Sequence, residues 1–266
     1  MVKLIASDLD GTLLQNGAQM LTEEAKQVIA AVQETGILFV AASGRQYPNL
    51  CRLFGELSKD MIFICENGAY IVQNGRELDS VPMERETGIA LMEDILKKKD
   101  CEVLLSGKNT SYLQPKTEEY EYRMRSVVKN NVQVTEDIRK VKEPFLKISV
   151  YQADGIALSE EYFRERWAHR LQAVVSDRLW MDFTAFGVNK GAALKKVQQI
   201  FQVSKEETMV FGDHYNDIEM FAQAEYSYVM ENAVDEVKKY GNYRTYLVED
   251  TLKQYLEEWK NREEKL

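Results

Sequence analysis

The chain is predicted to be an α/β protein, with a parallel-sheet core domain interrupted by an inserted α+β domain. Three observations predict this. Short apolar runs alternate with helical patterns over the first 80 or so residues. From about Pro82 to Phe186 the texture turns charged, tyrosine-containing and mixed. After Gly187 the first pattern returns. Alternating strands and helices make a parallel sheet, whereas strands and helices without strict alternation make an α+β unit. The expected division is residues 1–81 and 187–266 for the core and 82–186 for the insertion.

The elements follow in order. Val2 to Ser7 is rich in strand formers and ends at Asp8-Leu9-Asp10-Gly11-Thr12, where the chain turns. Thr22 to Thr35 reads as a helix capped by Thr22, with Glu23 and Glu24 at the positive end of its dipole and Gly36 as its stop. Ala25, Val28, Ile29 and Val32 stand at helical spacing. Ile37 to Ala42 and Met61 to Cys65 are continuous apolar runs, as strands covered on both faces require. They end at Ser43-Gly44-Arg45 and Glu66-Asn67-Gly68. Tyr70 to Arg76 reads as a hairpin turning at Asn74-Gly75. In the middle, Thr87 to Lys99 and Ser159 to Leu171 read as helices. Glu102 to Leu105, Tyr112 to Gln114, Leu146 to Tyr151, Ala173 to Ser176 and Trp180 to Phe183 read as strands. The returning pattern comprises a helix at Lys190 to Phe201, a strand at Thr208 to Phe211, a helix from Ile218 and a final strand at Tyr226 to Met230. Leu252 to Leu266 reads as a solvated, charged surface helix.

Composition narrows the function classes. With 266 residues, 45% of them hydrophobic, the chain has ample material for a core. Its net charge of −9 disfavours duplex nucleic acid as a partner and means that any phosphate site must supply its own positive charge. Cys51, Cys65 and Cys101 are odd in number, widely spaced and without CxxC spacing, which argues against structural zinc and a disulfide scaffold. No leader pattern and no apolar run of membrane-spanning length is present, so a cytoplasmic enzyme without membrane partners is expected.

Several polar clusters each lie just past a predicted parallel strand, where open α/β sheets form their ligand crevice. Asp8 and Asp10, Ser43, and Asp213 with Asn216 and Asp217 are thereby expected to converge. On extended chain, Asp8 and Asp10 point the same way. Two such carboxylates call for a neutralising cation; a hard divalent ion suits them, and Asp213 can complete the set. The competing readings of the pair are a surface turn or helix cap and a calcium loop, the last lacking its glutamate because Gln19 stands at the twelfth position. Lys190, opening a helix, is either a solvated surface charge or the cation that holds phosphate.

Taken in order, Asp8-Leu9-Asp10-Gly11-Thr12-Leu13, Ser43-Gly44-Arg45, Glu66-Asn67-Gly68-Ala69, Gly187-Val188-Asn189-Lys190-Gly191 and Gly212-Asp213-His214-Tyr215-Asn216-Asp217 resemble the motifs of the haloacid dehalogenase superfamily, specifically its Cof-like phosphatases with a type IIB cap. The resemblance implies a Rossmann-like core, a cap that closes over the site and selects the substrate, and hydrolysis of small phosphorylated metabolites through an aspartyl-phosphate. It implies Asp8 as nucleophile and Asp10 as acid, then base. Ser43, the Gly44 amide, Lys190, Asn216 and the Leu9 amide would hold phosphate oxygens. Magnesium would be held by the Asp8 carboxylate, the Asp10 backbone carbonyl and Asp213, with Asp217 in support. Arg45 and Asn67, with Tyr112, Tyr120 and Tyr122, are candidate substrate selectors, although aromatics at such spacing more often build core. Asn189, His214 and Glu231 depart from the family pattern without removing a catalytic group; His214 reads best as a solvent-facing loop residue. A monomer or weak homodimer is expected. The alternatives are a phosphosugar mutase, a non-catalytic phosphate sensor of the same fold, and a receiver-like domain, the last disfavoured by the long insertion.

Overall fold

β1 (Leu4–Ser7) is buried at every position, which a strand achieves only in the middle of a sheet covered on both faces. The computed structural model describes residues 1–263. α1 (Glu23–Glu34) begins where the Thr22 hydroxyl accepts a hydrogen bond from the Ala25 amide at 2.9 Å. It buries Ala25, Val28, Ile29 and Val32 and stops before Gly36, at φ +81°. β2 (Leu38–Ala42), α2 (Tyr47–Phe54) and β3 (Ile62–Cys65) follow. β4 (Tyr70–Gln73) turns back antiparallel on β3 and leads to β5 (Arg76–Ser80). The turn between β4 and β5 places both Asn74 and Gly75 at positive φ, as a two-residue hairpin matching strand twist demands.

The middle of the chain builds a second sheet. Its elements are α3 (Arg85–Lys97), β6 (Glu102–Ser106), β7 (Ser111–Leu113), α4 (Glu118–Tyr122), β8 (Val132–Val134), β9 (Lys147–Tyr151), α5 (Glu160–Trp167), β10 (Leu171–Asp177) and β11 (Trp180–Ala185). The strands run in the order β10-β11-β9-β6-β7-β8. Leu91 and Ile95 of α3, with Phe163 and Trp167 of α5, share one apolar cluster with Val103, Ile148 and Phe183 of the sheet. Within it Asp94 is buried, accepting from Tyr162, Arg166 and Trp167 at 2.8, 2.8 and 2.9 Å. The expected helix Ser159–Leu171 ends four residues early because Leu171 already pairs with Ala185 in β10. α4 and β8 were not expected: each is short, and β8 is held by pairing alongside β7. Tyr120 is 1% exposed and stacked on Tyr151, so it is core rather than a selector.

The chain then returns to the first sheet through α6 (Lys190–Phe201), β12 (Thr208–Gly212), α7 (Ile218–Phe221), β13 (Tyr226–Met230), α8 (Asp235–Lys238), β14 (Tyr243–Thr245) and α9 (Val248–Glu263). The order is β14-β13-β12-β1-β2-β3-β4-β5. β13 is therefore not the last strand: β14 pairs parallel with it. The helix after the 212–217 turn is only four residues long. The C-terminal helix begins at Val248, four residues before its expected start, and is more than a solvated element, since Val248, Leu252 and Leu256 are buried. Residues 264–266 of the expected helix lie outside the described residues. By internal packing the chain divides into two units. One comprises residues 1–43, 50–79 and those from Asn189 onward; the other comprises Gly44–Asn49 with Ser80–Val188. No described helix is long and apolar enough to cross a membrane.

Candidate active site

Strands β12, β1, β2 and β3 are consecutive neighbours and mutually parallel, so their C-terminal ends line up along one edge. That edge carries Asp8 after β1, Ser43 after β2, Glu66 and Asn67 after β3, and Asp213 after β12. The register is tied by backbone bonds. The Asp8 amide donates to Phe211 at 3.0 Å, the Ser43 amide to Ile64 at 2.8 Å, and the Asn67 amide to the Ser43 carbonyl at 3.1 Å. Asn67 sits at φ +57°, a left-handed turn that Asn tolerates better than most residues. Beyond Asp8 the chain folds back on itself: the Leu14 amide donates to Leu9 at 2.7 Å and the Gly11 amide to Leu14 at 3.0 Å.

The side chains gather around one buried lysine. Lys190, at the start of α6, is 1% exposed. Its ammonium donates to Asp8 Oδ1 at 2.5 Å and to Asp217 Oδ1 at 2.7 Å. The other oxygen of Asp217 accepts from the amides of Asp213 and His214, both at 3.0 Å, which fixes the turn after β12. Asp213 is held in turn by the Thr12 hydroxyl, which donates to its Oδ1 at 2.8 Å. Each of Asp8, Asp213 and Asp217 offers one oxygen within 4.8 Å of the others.

The charges do not balance. Three carboxylates face one ammonium, an excess of two negative charges in a largely buried space. Burial, with Asp217 and Asp213 adding to it, pushes the Asp8 carboxyl well above the usual carboxylate range, against the pull of Lys190. Asp213 is raised for the same reason, by burial first and then by Asp217. Burial alone would lower Lys190, but Asp217 and Asp8 outweigh it and raise it. A divalent cation fits this arrangement: the donors are hard oxygens, closely grouped, and the missing charge is the right size. The Asp10 carboxylate is not one of this group, and Asp10 is exposed. Successive residues past the strand end do not stay extended, because the chain turns from Leu9 on, whose carbonyl accepts from the Thr12 and Leu14 amides at 3.1 and 2.7 Å.

Leu9 is buried and Asn216 half-buried in the turn between Tyr215 and Asp217. Gly44 and Arg45 belong to the segment that packs with the inserted unit. His214 is exposed, and Glu231 forms an ion pair with Lys238 at 3.7 Å. Tyr112 is half-buried and donates to Glu143 at 2.7 Å, while Tyr122 is exposed. Sequence reasoning missed three supporting residues: Thr12, Asn232, whose side chain donates to the Gly11 carbonyl at 2.8 Å, and Gly11 itself. Their signal was positional, since Thr12 and Gly11 follow Asp10 directly and Asn232 lies just past β13.

Gly11 has no room for a side chain. A Cβ there would lie 2.1 Å from Asp213 Oδ2, at a backbone angle that L-residues avoid. Gly11→Ala is expected to lower stability by about 1–3 kcal/mol and to displace Asp213. The check is thermal melting with and without magnesium: both the melting point and the magnesium-induced rise should fall. Unchanged values would show that the turn relaxes freely.

The family model of the haloacid dehalogenase-like hydrolases matches residues 5–251. The chain belongs to this family. Among haloacid dehalogenase-like relatives, it is 28% identical over 244 residues to the 5-amino-6-(5-phospho-D-ribitylamino)uracil phosphatase YbjI of Escherichia coli, covering 91% of this chain and 90% of that one. It is 27% identical over 259 residues to the phosphatase YcsE of Bacillus subtilis, named for the same substrate, covering 97% and 96%. Among solved structures, SMU.1108c from Streptococcus mutans superposes with a TM-score of 0.84 at 29% identity, covering 96% of this chain and 99% of that one. The subclass IIB sugar phosphatase BT4131 shares the fold with a TM-score of 0.79 at 20% identity, over 96% and 99%. The family is thus that of a hydrolase with a parallel-sheet core and an inserted cap.

Proposed function

We propose that the protein is a magnesium-dependent phosphatase of small phosphorylated metabolites that works through an aspartyl-phosphate on Asp8. The observation that carries this reading is the buried Asp8–Lys190 pair set among Asp213 and Asp217, with an exposed Asp10 two residues on. Bound magnesium would sit among Asp8, Asp213, Asp217 and the Asp10 carbonyl and supply the charge that lets a phosphate dianion approach a carboxylate. Lys190 has three hydrogens, and two are engaged by Asp8 and Asp217, which leaves a third for a phosphate oxygen. Ser43, the Gly44 and Leu9 amides and Asn216 are the further phosphate donors in this reading.

In the first step, a carboxylate oxygen of Asp8 bonds to phosphorus as the bond to the leaving oxygen breaks. Asp10 gives that oxygen its proton. In the second step, water attacks the aspartyl-phosphate and loses a proton to the Asp10 carboxylate. The bond from phosphorus to Asp8 breaks, and inorganic phosphate is released. Exposure of Asp10 suits a group that must meet a leaving group and then water. Arg45 and Asn67 are proposed to contact the rest of the substrate.

The names of two relatives justify including a phosphorylated ribityl compound in a substrate panel alongside sugar phosphates and cofactor phosphates. Phosphate release from such a panel is expected with magnesium and should vanish with a chelator. A protein that binds magnesium and phosphate but releases none from any compound would overturn the hydrolase reading in favour of a sensor. Phosphate migration on a sugar that outpaces release would favour a mutase.

A further inference from the structure

Three neighbouring strands of the first sheet bear on Asp213. It directly follows β12, which has β1 on one flank and β13 on the other. From the β1 side, the Thr12 hydroxyl donates to Asp213 Oδ1 at 2.8 Å. From the β13 side comes Asn232, two residues past the strand. Its side chain donates to the Gly11 carbonyl at 2.8 Å, in the turn that follows β1. Strands two apart in a sheet stand about 10 Å from each other. The bond is therefore a strap that joins the β13 and β1 turns across the end of β12, all within one unit.

The strap acts on one peptide. The Gly11 carbonyl and the Thr12 amide belong to the same planar group. Asn232 holds that group at its oxygen, and Leu9 holds it at its nitrogen, accepting from the Thr12 amide at 3.1 Å. Asp213 lies close against this turn, since a Cβ on Gly11 would stand 2.1 Å from its Oδ2. Glycine has the widest backbone freedom of any residue, so a partner on the Gly11 carbonyl restricts a rotation that would carry the Thr12 hydroxyl off Asp213. The donor is itself preset. The Glu231 amide donates to the Thr245 carbonyl at 2.9 Å and the Ala233 amide to the Met230 carbonyl at 3.0 Å, which fastens the chain on both sides of Asn232. A second bond runs between the same layers. The Gln15 side chain donates to the Tyr246 carbonyl at 2.6 Å, tying the far end of the turn to the residue just past β14.

We infer that Asn232 is a positioning residue for the metal ion: by fixing the Gly11–Thr12 peptide it aims the Thr12 hydroxyl at Asp213 and so sets how tightly magnesium is held. This rests on the metal site of the phosphatase reading above. A carboxylate oriented by an outer hydrogen bond holds its ion more tightly than one the ion must order, and losing such a partner costs about 10- to 100-fold in metal affinity. Thr12 is that outer partner, and Asn232 stands one bond behind it.

The test is calorimetric titration with magnesium alone, on wild type, Asn232→Ala, Thr12→Val, Thr12→Ser and the Asn232→Ala/Thr12→Val double variant. Thr12→Val is expected to bind magnesium about tenfold more weakly. Asn232→Ala should lose about fivefold, although Asn232 is exposed. The double variant should lose about tenfold, and not the roughly fiftyfold product of two independent effects, because Asn232 acts through Thr12. Thr12→Ser, which keeps the hydroxyl, should stay within about twofold of wild type. In chelator, Asn232→Ala should melt close to wild type, since a substitution at an exposed position costs little by itself. Magnesium affinity within about twofold of wild type in Asn232→Ala would overturn the inference while leaving the phosphatase reading intact. A double variant at the full product would overturn the route through Thr12. Melting of Asn232→Ala in chelator far below wild type would overturn the inference as general damage. Wild-type protein that binds no magnesium would overturn both readings.

Discussion

Asp8→Asn is expected to cut phosphate release by about 10⁴-fold or more while the protein melts at or above the wild-type temperature. The loss of turnover follows because an amide cannot form the acyl-phosphate. The retained fold follows from the charge count. Three carboxylates face the single ammonium of Lys190, so neutralising one of them removes repulsion, and the Asn oxygen can still accept from Lys190 at the Asp8 position. The effect carries a pH signature. The Asp8 carboxyl in the folded protein is raised well above its ordinary value, so the folded state holds that proton more tightly than the unfolded chain does. Metal-free wild type therefore loses stability as pH rises from the ordinary carboxylate range through the raised value. Asp8→Asn lacks this loss. Its melting advantage in chelator should thus be larger near pH 7 than around pH 4. Paired assays of phosphate release and thermal melting check both halves. A well-folded Asp8→Asn protein that turns over like wild type would remove Asp8 from the chemistry.

Lys190→Met is expected to do the opposite to stability. It leaves Asp8, Asp213 and Asp217 within a few ångströms of one another without their ammonium, and stranding buried charge costs about 3–5 kcal/mol. Magnesium should recover part of this, so the difference between melting in magnesium and in chelator should be greater for the variant than for wild type. Activity should fall in both KM and kcat, since the same ammonium is assigned to phosphate in the ground state and to charge in the transition state. A variant equally stable in chelator would mean that the carboxylates have already taken up protons, and the charge imbalance would have to be redrawn.

Much of this site was legible because strands and chemistry were written in different alphabets. β2 and β3 are unbroken apolar runs, β1 and β12 are apolar but for Ser7 and Thr208, and each of the four stops at a polar cluster. The physics of a sheet covered on both faces links the two. What escaped was whatever depended on a neighbour distant in sequence. β8 and β14 are three residues long and become strands only because β7 and β13 lie beside them. Asp217 read as a supporting metal group, yet its carboxylate is fully buried, bracing Lys190 and two amides at once, a role that spacing cannot disclose. Asp10 was paired with Asp8 by the geometry of an extended chain, but the turn starts between them at Leu9, whose carbonyl accepts from amides three and five residues on. Thr12 matters because it touches Asp213, 201 positions away.

The place of β1 also bears on how the chain is made. In the finished sheet Leu4 lies beside Thr208, with β12 on one flank and β2 on the other. A ribosome working at roughly 5–20 residues per second needs roughly 10–40 seconds to move from one to the other. Throughout that interval one side of β1, apolar but for Ser7 and with its backbone groups unpaired, is an open sheet edge. The inserted unit is complete within the same interval and carries its own apolar cluster, so it can fold while β1 waits. The nascent chain is therefore most prone to aggregate before residue 208 emerges, and Asp8 cannot meet both Lys190 and Asp213 until four-fifths of the protein exists.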